Sequence, residues 1–520
     1  MRISTSQFYN TSSANYQRGF SNVVKTQQES SDGIRVRTAA DDPVGASRLL
    51  QLEQQQNMLD QYKSNITNVR NSLSTSESTL DAIGKVLQRV NELAISSGNA
   101  GFTDADRKAN ADELGSLEEQ LFSLMNSKDE NGKYLFSGSK GDTPPYVRNA
   151  DGTYSYQGDQ GQLKLQVGDM LSLAANETGF DAFEQALNTS RSQTTLTAPA
   201  VDDGRVSLSN GQVSGSATFN DRFRSGEPYR VEFLSSTQYR ILDSGNNDVT
   251  LEASQGGTYN PNAENGTISF RGVDLRLKIT LQPGDNPDAA IAGHTFNLSS
   301  KPDAIAGSRS PGNTSGTQVN NATISNQAQY NASFPGGGAV LKFTSATDFE
   351  LYAAPLTDNS RPISTGTLAG NTATASGVSF QLSGAPNAGD SFAIKVDTHQ
   401  NQNMLNTIGQ LRTALSVPMD SDPKARQNFL ASLDSSIGNI ASATNQVSSS
   451  ISAIGGRGAA LDVQAETNEA LGNENAKTQS SIRESDPATV MLRLQMQTNM
   501  LQASLQSYAK IAGLSLVNYI

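Results

Sequence analysis

A seven-residue repeat of apolar side chains constrains the fold of this 520-residue chain more than any other feature. Apolar residues recur every seven positions from Leu52 to Ala94, and a second, partly polar row lies three positions further on. Apolar a and d positions sustained in this way predict a coiled-coil helix about 70 Å long at roughly 1.5 Å per residue. Asp42 and Pro43 supply the N-cap and the first residue of this helix. The first predicted seam consists of Leu52, Leu59, Ile66, Leu73, Leu80 and Leu87.

A second heptad seam lies far along the chain and consists of Leu433, Ile440, Val447 and Ile454. Between the two seams, helical periodicity is absent from about residue 193 to 396. Neither seam has another apolar partner of equal length, so we expect the two to bury each other as an antiparallel bundle. The predicted fold class is therefore α+β multidomain, with a long antiparallel helical bundle or coiled-coil stem from both termini and central β-rich domains.

The central region contains an internal repeat at an offset of 110 residues. Phe233 and Phe270 are separated by 37 residues, as are Phe343 and Phe380, and each lies in an alternating apolar run. Alternation is typical of strands with one buried face. We therefore predict two tandem β-sandwich-like domains, a chance match of alternating residues being the alternative.

These patterns divide the chain into four regions. Residues 1–40 and 480–520 are terminal helical assembly segments. Residues 41–190 and 401–479 form a helical stem domain with a β-hairpin at Asp151-Gly152. Residues 195–300 form the first β domain, and residues 301–400 form the second.

The terminal segments combine few charges with a narrow apolar stripe. Residues 490–520 contain only two charged side chains, Arg493 and Lys510. An isolated helix of this kind is marginal in water, so we expect it to fold by packing on other helices and on other copies of the chain. An ordinary helix pair that closes a monomer is the alternative. The predicted assembly interface is Ile3, Phe8, Phe20, Val24, Val490, Leu494, Leu501, Leu505, Tyr508, Leu514 and Leu516.

The composition argues against catalysis and against several classes of partner. The chain has no cysteine and only two histidines, His294 and His399, which we expect at surface or strand positions. No catalytic constellation, metal site or cofactor is therefore predicted. A net charge of -12 disfavours nucleic acid and anionic membranes as partners. The first residues carry no apolar signal region, which indicates a protein that stays inside the cell or leaves without a cleaved signal.

Three motifs resemble bacterial flagellins and their relatives. The first is Arg37-Thr-Ala-Ala-Asp-Asp-Pro43, and the second runs from Gly132 through Leu135-Phe-Ser-Gly to Thr143-Pro-Pro145. The third comprises Arg483-Glu-Ser-Asp-Pro487 and the terminal Leu514-Ser-Leu-Val-Asn-Tyr-Ile520. The second motif and the terminal sequence resemble the hook-associated members of this flagellin-like family more than filament flagellin.

The resemblance implies a structural protein of the bacterial flagellum that is not an enzyme. It implies export through the flagellar type III apparatus and self-assembly into an extracellular ring at the hook-filament junction. The implied partners are other copies of the chain, a neighbouring hook-associated protein on the hook side, flagellin on the filament side and a cytoplasmic export chaperone. Filament flagellin remains an alternative, as does a surface-displayed adhesin built on a flagellin-like stem.

Overall fold

The computed structural model describes residues 5–99, 101–260, 266–357, 359–420 and 423–517. The helices are α1 (Thr5–Asp32), α2 (Pro43–Ser97), α3 (Asp104–Met125), α4 (Ser216–Thr218), α5 (Arg224–Gly226), α6 (Pro287–Ile291), α7 (Gln327–Ser333), α8 (Met404–Leu415), α9 (Pro423–Arg483) and α10 (Pro487–Val517). Shorter helical turns span Phe180–Glu184, Phe219–Phe223, Thr250–Glu252 and Ser254–Gly257.

The strands before the central region form two hairpins: β1 (Tyr146–Arg148) with β2 (Tyr154–Tyr156), and β3 (Lys164–Gln166) with β4 (Ser172–Ala174). The first β domain contains β5 (Ser192–Ala198), β6 (Val206–Leu208), β7 (Gln212–Val213), β8 (Tyr229–Phe233), β9 (Tyr239–Leu242), β10 (Gly266–Phe270), β11 (Val273–Ile279) and β12 (Thr295–Ser300). The second contains β13 (Ala304–Arg309), β14 (Val319–Ile324), β15 (Ala339–Phe343), β16 (Asp348–Ala353), β17 (Ser364–Thr367), β18 (Thr372–Ala375), β19 (Val378–Leu382) and β20 (Ser391–Asp397). The predicted α+β class, with long terminal helices around central sheets, is confirmed.

The chain divides into two compact units. The first unit comprises Met1–Ser74, Leu163–Ala175 and Gly455–Ile520. The second comprises Thr75–Gln162 and Asn176–Ile454. The helices α2 and α9 each contribute residues to both units.

In the first unit, α2 and α9 run antiparallel. The side-chain amide of Asn475 donates to the Leu52 carbonyl at 2.8 Å, and Arg70 pairs with Asp462 at 2.5 Å. Residue numbers therefore rise along α2 as they fall along α9. The apolar residues buried along this stretch include Leu52, Leu59, Ile66, Leu73 and Leu461.

Asparagines on both helices bind the β3–β4 hairpin to this helix pair. Asn65 on α2 donates to the Gln166 carbonyl at 2.7 Å, and Asn468 on α9 donates to the Val167 carbonyl at 2.9 Å. These hydrogen bonds satisfy carbonyls that the two-stranded hairpin leaves open. The heptad pattern contains no signal for them.

The second unit contains the remaining seam residues, and Leu80, Leu87, Leu433, Ile440, Val447 and Ile454 are all buried there. The helix α3 also lies in this unit, and Thr103 is its N-cap. The Asp151-Gly152 turn is also confirmed, because β1 pairs with β2 and Gly152 has a φ of 84°. Residues 134–136 form no strand, and Tyr134 makes an isolated bridge to Lys128.

The two β domains share the order of their main strands, to which the second domain adds β17 at one sheet edge and the first adds β7 beside β11. The first has sheets ordered β5-β12-β8-β9 and β10-β11-β6, and the second has β13-β20-β15-β16-β17 and β14-β19-β18. Equivalent aromatic pairs lie in the two cores: Phe233 and Phe296 have ring centroids 6.0 Å apart, and Phe343 and Phe392 have centroids 5.9 Å apart. Each domain is therefore a two-sheet sandwich built on the same plan.

The offset of 110 holds for only part of the repeat. It matches Phe233 with Phe343 and Tyr239 with Phe349, which occupy equivalent strands. Matching Phe270 with Phe380 was wrong, because Phe380 lies on β19, the counterpart of β11 rather than of β10. Both strands of a hairpin alternate in the same way, so the sequence pattern does not distinguish them. The segment from β16 to the β18–β19 hairpin is shorter than the segment from β9 to the β10–β11 hairpin. The same separation of 37 residues therefore reaches the first strand of the hairpin in one domain and the second strand in the other.

Equivalent positions just before the last strand anchor equivalent loops in the two domains. In the second domain Asp390, 1% exposed, accepts hydrogen bonds from Thr314 N at 2.8 Å and from the Ser315 hydroxyl. In the first domain that position is His294, which is buried rather than at the surface. Its ring nitrogens lie 3.0 Å from Asp203 Oδ1 and 3.0 Å from the Ile291 carbonyl.

We predict that Ile66→Asp destabilises the helical stem. Ile66 is 3% exposed. Burial of such a side chain contributes about 1.5–3 kcal/mol, and an unpaired buried carboxylate adds a further penalty. Thermal unfolding followed by circular dichroism should show a lower midpoint. The control is Ser64→Asp on the exposed side of α2. Equal midpoints for the two variants would contradict the burial of the seam.

We also predict that acid destabilises the second β domain through Asp390. Burial opposes its ionisation, but hydrogen bonds from Ser315, Asn387 and Thr314 outweigh burial and lower the pKa of Asp390 to about 2. A carboxyl with a lowered folded-state pKa stabilises above its unfolded pKa near 4, and this stabilisation is lost as the pH falls towards 2.

Asp390→Asn should therefore lose about 1.5–3 kcal/mol at neutral pH and show a weaker acid dependence. Hydrogen exchange of β15 amides between pH 7 and 3 measures both effects. Asp397→Asn, at a side chain 66% exposed, is the control. An Asp390→Asn variant with the wild-type acid dependence would show that another group is responsible.

Candidate assembly surface

The helices α1 and α10 pack antiparallel in the first unit. A Cβ placed on Gly19 would lie 3.4 Å from Leu501 Cδ1, so the Leu501 side chain packs against α1 there. Further along, Arg493 Nη2 donates to Glu29 Oε1 at 2.9 Å, and Glu29 is buried. This contact neutralises one of the few charges on α10.

Backbone hydrogen bonds join the segment after α1 to the segment before α10. Arg35 N donates to the Arg483 carbonyl at 2.7 Å, and Ser485 N donates to the Gly33 carbonyl at 2.9 Å. Gly33 has a φ of 67°, a conformation that costs glycine little and ends α1 here. The two termini are thereby held in register at this end of the pair.

Aspartates from the flagellin-like motifs cap the N-termini of α2 and α10. Asp42 Oδ1 accepts from Gly45 N at 2.9 Å, as expected for an N-cap of α2. Asp486 plays the same part for α10, and hydrogen bonds from Thr489 and Ala488 lower its pKa. Asp41 accepts from Lys25 at 2.5 Å, and this contact, together with the Thr38 backbone, holds the pKa of Asp41 well below its usual range.

The helix α10 has two apolar faces. One is turned towards α1, where Val490 is buried and Leu494, Leu501 and Tyr508 are partly buried. The other is open to solvent and follows a spacing of four residues. We call it the open methionine face, and it consists of Met491, Leu492, Met496 and Met500, exposed by 60, 61, 57 and 73%.

The structure separates the predicted assembly residues into groups. Phe20 and Val24 on α1 are 53% and 47% exposed, and Leu505 on α10 is 42% exposed. Ile3 lies outside the described residues. The side chains of Phe8, Leu514 and Leu516 also lie outside the described part of the chain. The expectation that these segments become helical only in an assembly stays a prediction.

Sequence reasoning missed two features of this surface. The face of α1 turned inwards includes Val23, Thr26 and Glu29, whose polar members hide it from a search for an apolar stripe. The open methionine face was missed because the stripe that begins at Val490 already explained why α10 is amphipathic. Its signal was available, since Leu492, Met496 and Met500 repeat every four residues.

The surface has no sign of metal or membrane chemistry within the described ranges. There, no group of three or more His, Cys, Asp or Glu side chains is arranged to hold a metal ion. None of the helices in those ranges has the length and hydropathy needed to cross a membrane. What the arrangement offers is an apolar helical surface with a polar border.

Comparison with known proteins shows which proteins have similar sequences. Residues 3–141 match the family model of the bacterial flagellin N-terminal helical region. Flagellar hook-associated protein 3 of Salmonella typhimurium is 31% identical over 183 residues, which cover 35% of this chain and 57% of that protein. The Escherichia coli protein of the same name is 27% identical over 294 residues, covering 55% and 88%. The chain thus aligns with a little over half the length of the Salmonella relative.

The crystal structure of hook-associated protein-3 from Legionella pneumophila aligns over 83% of this chain and 98% of that one, at 21% identity and a TM-score of 0.47. The chain is similar to flagellin-like proteins of the bacterial flagellum. The resemblance predicted from the motifs is confirmed, and within this class it is to flagellar hook-associated protein 3.

We predict that Met496→Glu with Met500→Glu abolishes assembly but leaves the monomer folded. Both side chains are more than half exposed, so charging them costs the isolated chain little, whereas burying two carboxylates against a neighbour is unfavourable. Sedimentation and electron microscopy of wild-type and variant chains measure assembly. The control is Gln502→Glu with Gln506→Glu, at exposed polar positions of α10. Assembly by the methionine variant would exclude the open methionine face from the interface.

Proposed function

We propose that this chain is a structural, non-enzymatic component of the bacterial flagellum that joins hook to filament by assembling into a ring. It is exported through the flagellar type III apparatus and acts outside the cell. The observation that carries the proposal is the similarity to two hook-associated proteins 3, at 31% and 27% identity.

The terminal helices supply the surface for self-assembly. The α1–α10 pair leaves Phe20, Val24 and the open methionine face exposed. Isolated exposed apolar side chains are ordinary, but a contiguous apolar helical face is typical of a protein interface. Copies packed side by side would bury this face repeatedly and leave the amide-rich positions towards a water-filled channel.

The partners at the two ends of the ring are a hook-associated protein on the hook side and flagellin on the filament side. A cytoplasmic export chaperone covers the apolar face of α10 before export. The motif resemblance implies these three partners, and the low charge of residues 490–520 fits a segment that needs a cover in the cytoplasm.

Two other functions share the same scaffold. A filament flagellin would occur along the whole filament, and the chain does align with flagellins, for example the 41 kDa core protein of Borreliella burgdorferi at 32% identity over 133 residues. That alignment covers only 25% of this chain. A surface-displayed adhesin would use the two β domains, whose large aromatic side chains are mostly committed to the cores.

The deciding experiment is deletion of the gene with immunogold microscopy of the complemented strain. The deletion strain should keep hooks and lose filaments, with filament subunits released into the medium. In the complemented strain, antibody to the β domains should label a narrow band between hook and filament. Label along the whole filament would support the flagellin alternative, and normal filaments in the deletion strain would overturn the proposal.

We predict that the β domains are dispensable for filament growth. The chain leaves and re-enters the helical part of the second unit at adjacent positions: Asn188 N donates to the Gln400 carbonyl at 2.8 Å, and Gln402 N donates to the Ala186 carbonyl at 2.9 Å. Joining ends that are already close costs little chain entropy. A chain lacking residues 190–399, closed by a short Gly/Ser linker, should restore filaments to the deletion strain.

The control for this deletion is a variant that lacks residues 301–397 alone and retains the first β domain. Filaments restored by the smaller deletion only would place part of the junction surface in the first β domain. Export of the larger deletion is checked by its recovery from the medium.

A further inference from the structure

A polar cavity of about 660 Å³ lies between the first β domain and the helices of the second unit. Strands β5, β6 and β12 contribute one wall, and α8 and α9 contribute the other. Its apolar members include Leu196 and Phe296, while hydroxyl and amide groups from Thr194, Asn210 and Ser432 make it predominantly polar. The assembly surface and the proposed ring use none of these residues.

Lys301 is the cation in this cavity. Its ammonium group donates to the Ser190 hydroxyl at 2.9 Å, and no carboxylate of the described residues pairs with it. Burial lowers the pKa of Lys301. Elsewhere on this side of the domain Arg276 is paired with Asp434. A half-buried ammonium with one hydroxyl partner has two donors left and an uncompensated desolvation cost.

The other groups at the cavity indicate what kind of anion fits. Serine hydroxyls and the amides of Asn210 and Asn428 can donate to or accept from hydroxyl groups. The exposed carboxylate of Asp202 stands at the same cavity, accepts from Gly204 N at 2.9 Å and disfavours a dianion. A ligand with one carboxylate and several hydroxyls satisfies the cation, the amides and the acceptors together.

We propose that this cavity binds a sugar acid, with the ligand carboxylate on Lys301 and its hydroxyl groups on the surrounding serine and amide side chains. The volume accommodates one monosaccharide unit, which is within the size range of small-molecule sites. This assigns to the first β domain a carbohydrate-binding activity that is independent of assembly at the junction.

Isothermal titration of the full-length monomer with D-glucuronate tests the proposal, with D-glucose and inorganic phosphate as the comparison ligands. We expect binding of glucuronate, with at least tenfold weaker binding of glucose and of phosphate. Lys301→Met should weaken glucuronate binding at least tenfold. Lys278→Met, at an exposed lysine of β11, should bind as the wild type does.

A second variant keeps the test valid if Lys301→Met fails to fold. Ser432→Leu reduces the cavity from the α9 side without touching Lys301, and it should also abolish binding. Wild-type affinity in either folded variant would overturn the site, and so would the absence of glucuronate binding to the wild-type chain. Phosphate bound as tightly as glucuronate would overturn the assignment to a sugar acid.

Discussion

Burial of the two heptad seams is the interaction on which the structure depends. The helices α2 and α9 are separated by more than 300 residues of chain. Neither is expected to be stable alone, because an isolated helix leaves its apolar stripe exposed to water. The antiparallel contact, marked by Asn475 at the Leu52 carbonyl, removes their leucines and isoleucines from water. Any segment inserted between them must return the chain close to where it left. The hydrogen bond from Asn188 to the Gln400 carbonyl shows how closely it does so.

That constraint explains how the middle of the chain can hold two whole β domains. Each sandwich has its own core, and both copies keep the same strand order. The two copies differ in the polar residue that lies just before the last strand. His294 with Asp203 holds the loop of one domain, and Asp390 with backbone amides holds the equivalent loop of the other. The fold has a polar anchor at that position in both copies but tolerates an imidazole in one and a carboxylate in the other, because each anchor comes with its own partners.

Polar side chains at the base of the first β domain contact α9 directly. Asn439 accepts from Thr189 N at 2.6 Å, and a Cβ on Gly438 would collide with Gln212, so this domain sits directly on α9. Opposite charges are paired at this contact, as Arg276 and Asp434 show. Lys301 has no carboxylate partner among the described residues, and this is the reason for assigning a ligand to the cavity beside it.

The sequence by itself determined the helical stem, the α+β class, the start of α2 at Pro43 and the flagellin-like resemblance. Heptad spacing and capping residues are local signals, and each seam has only one partner of matching length. Tertiary structure alone decided the pairing of β19 with β14 and β18, the burial of His294 and the exposure of the second apolar stripe of α10. Strand register depends on loop lengths, because alternation is the same on both strands of a hairpin. Burial of a histidine or exposure of a methionine depends on what packs against it, and neither is written in the spacing of the residues themselves.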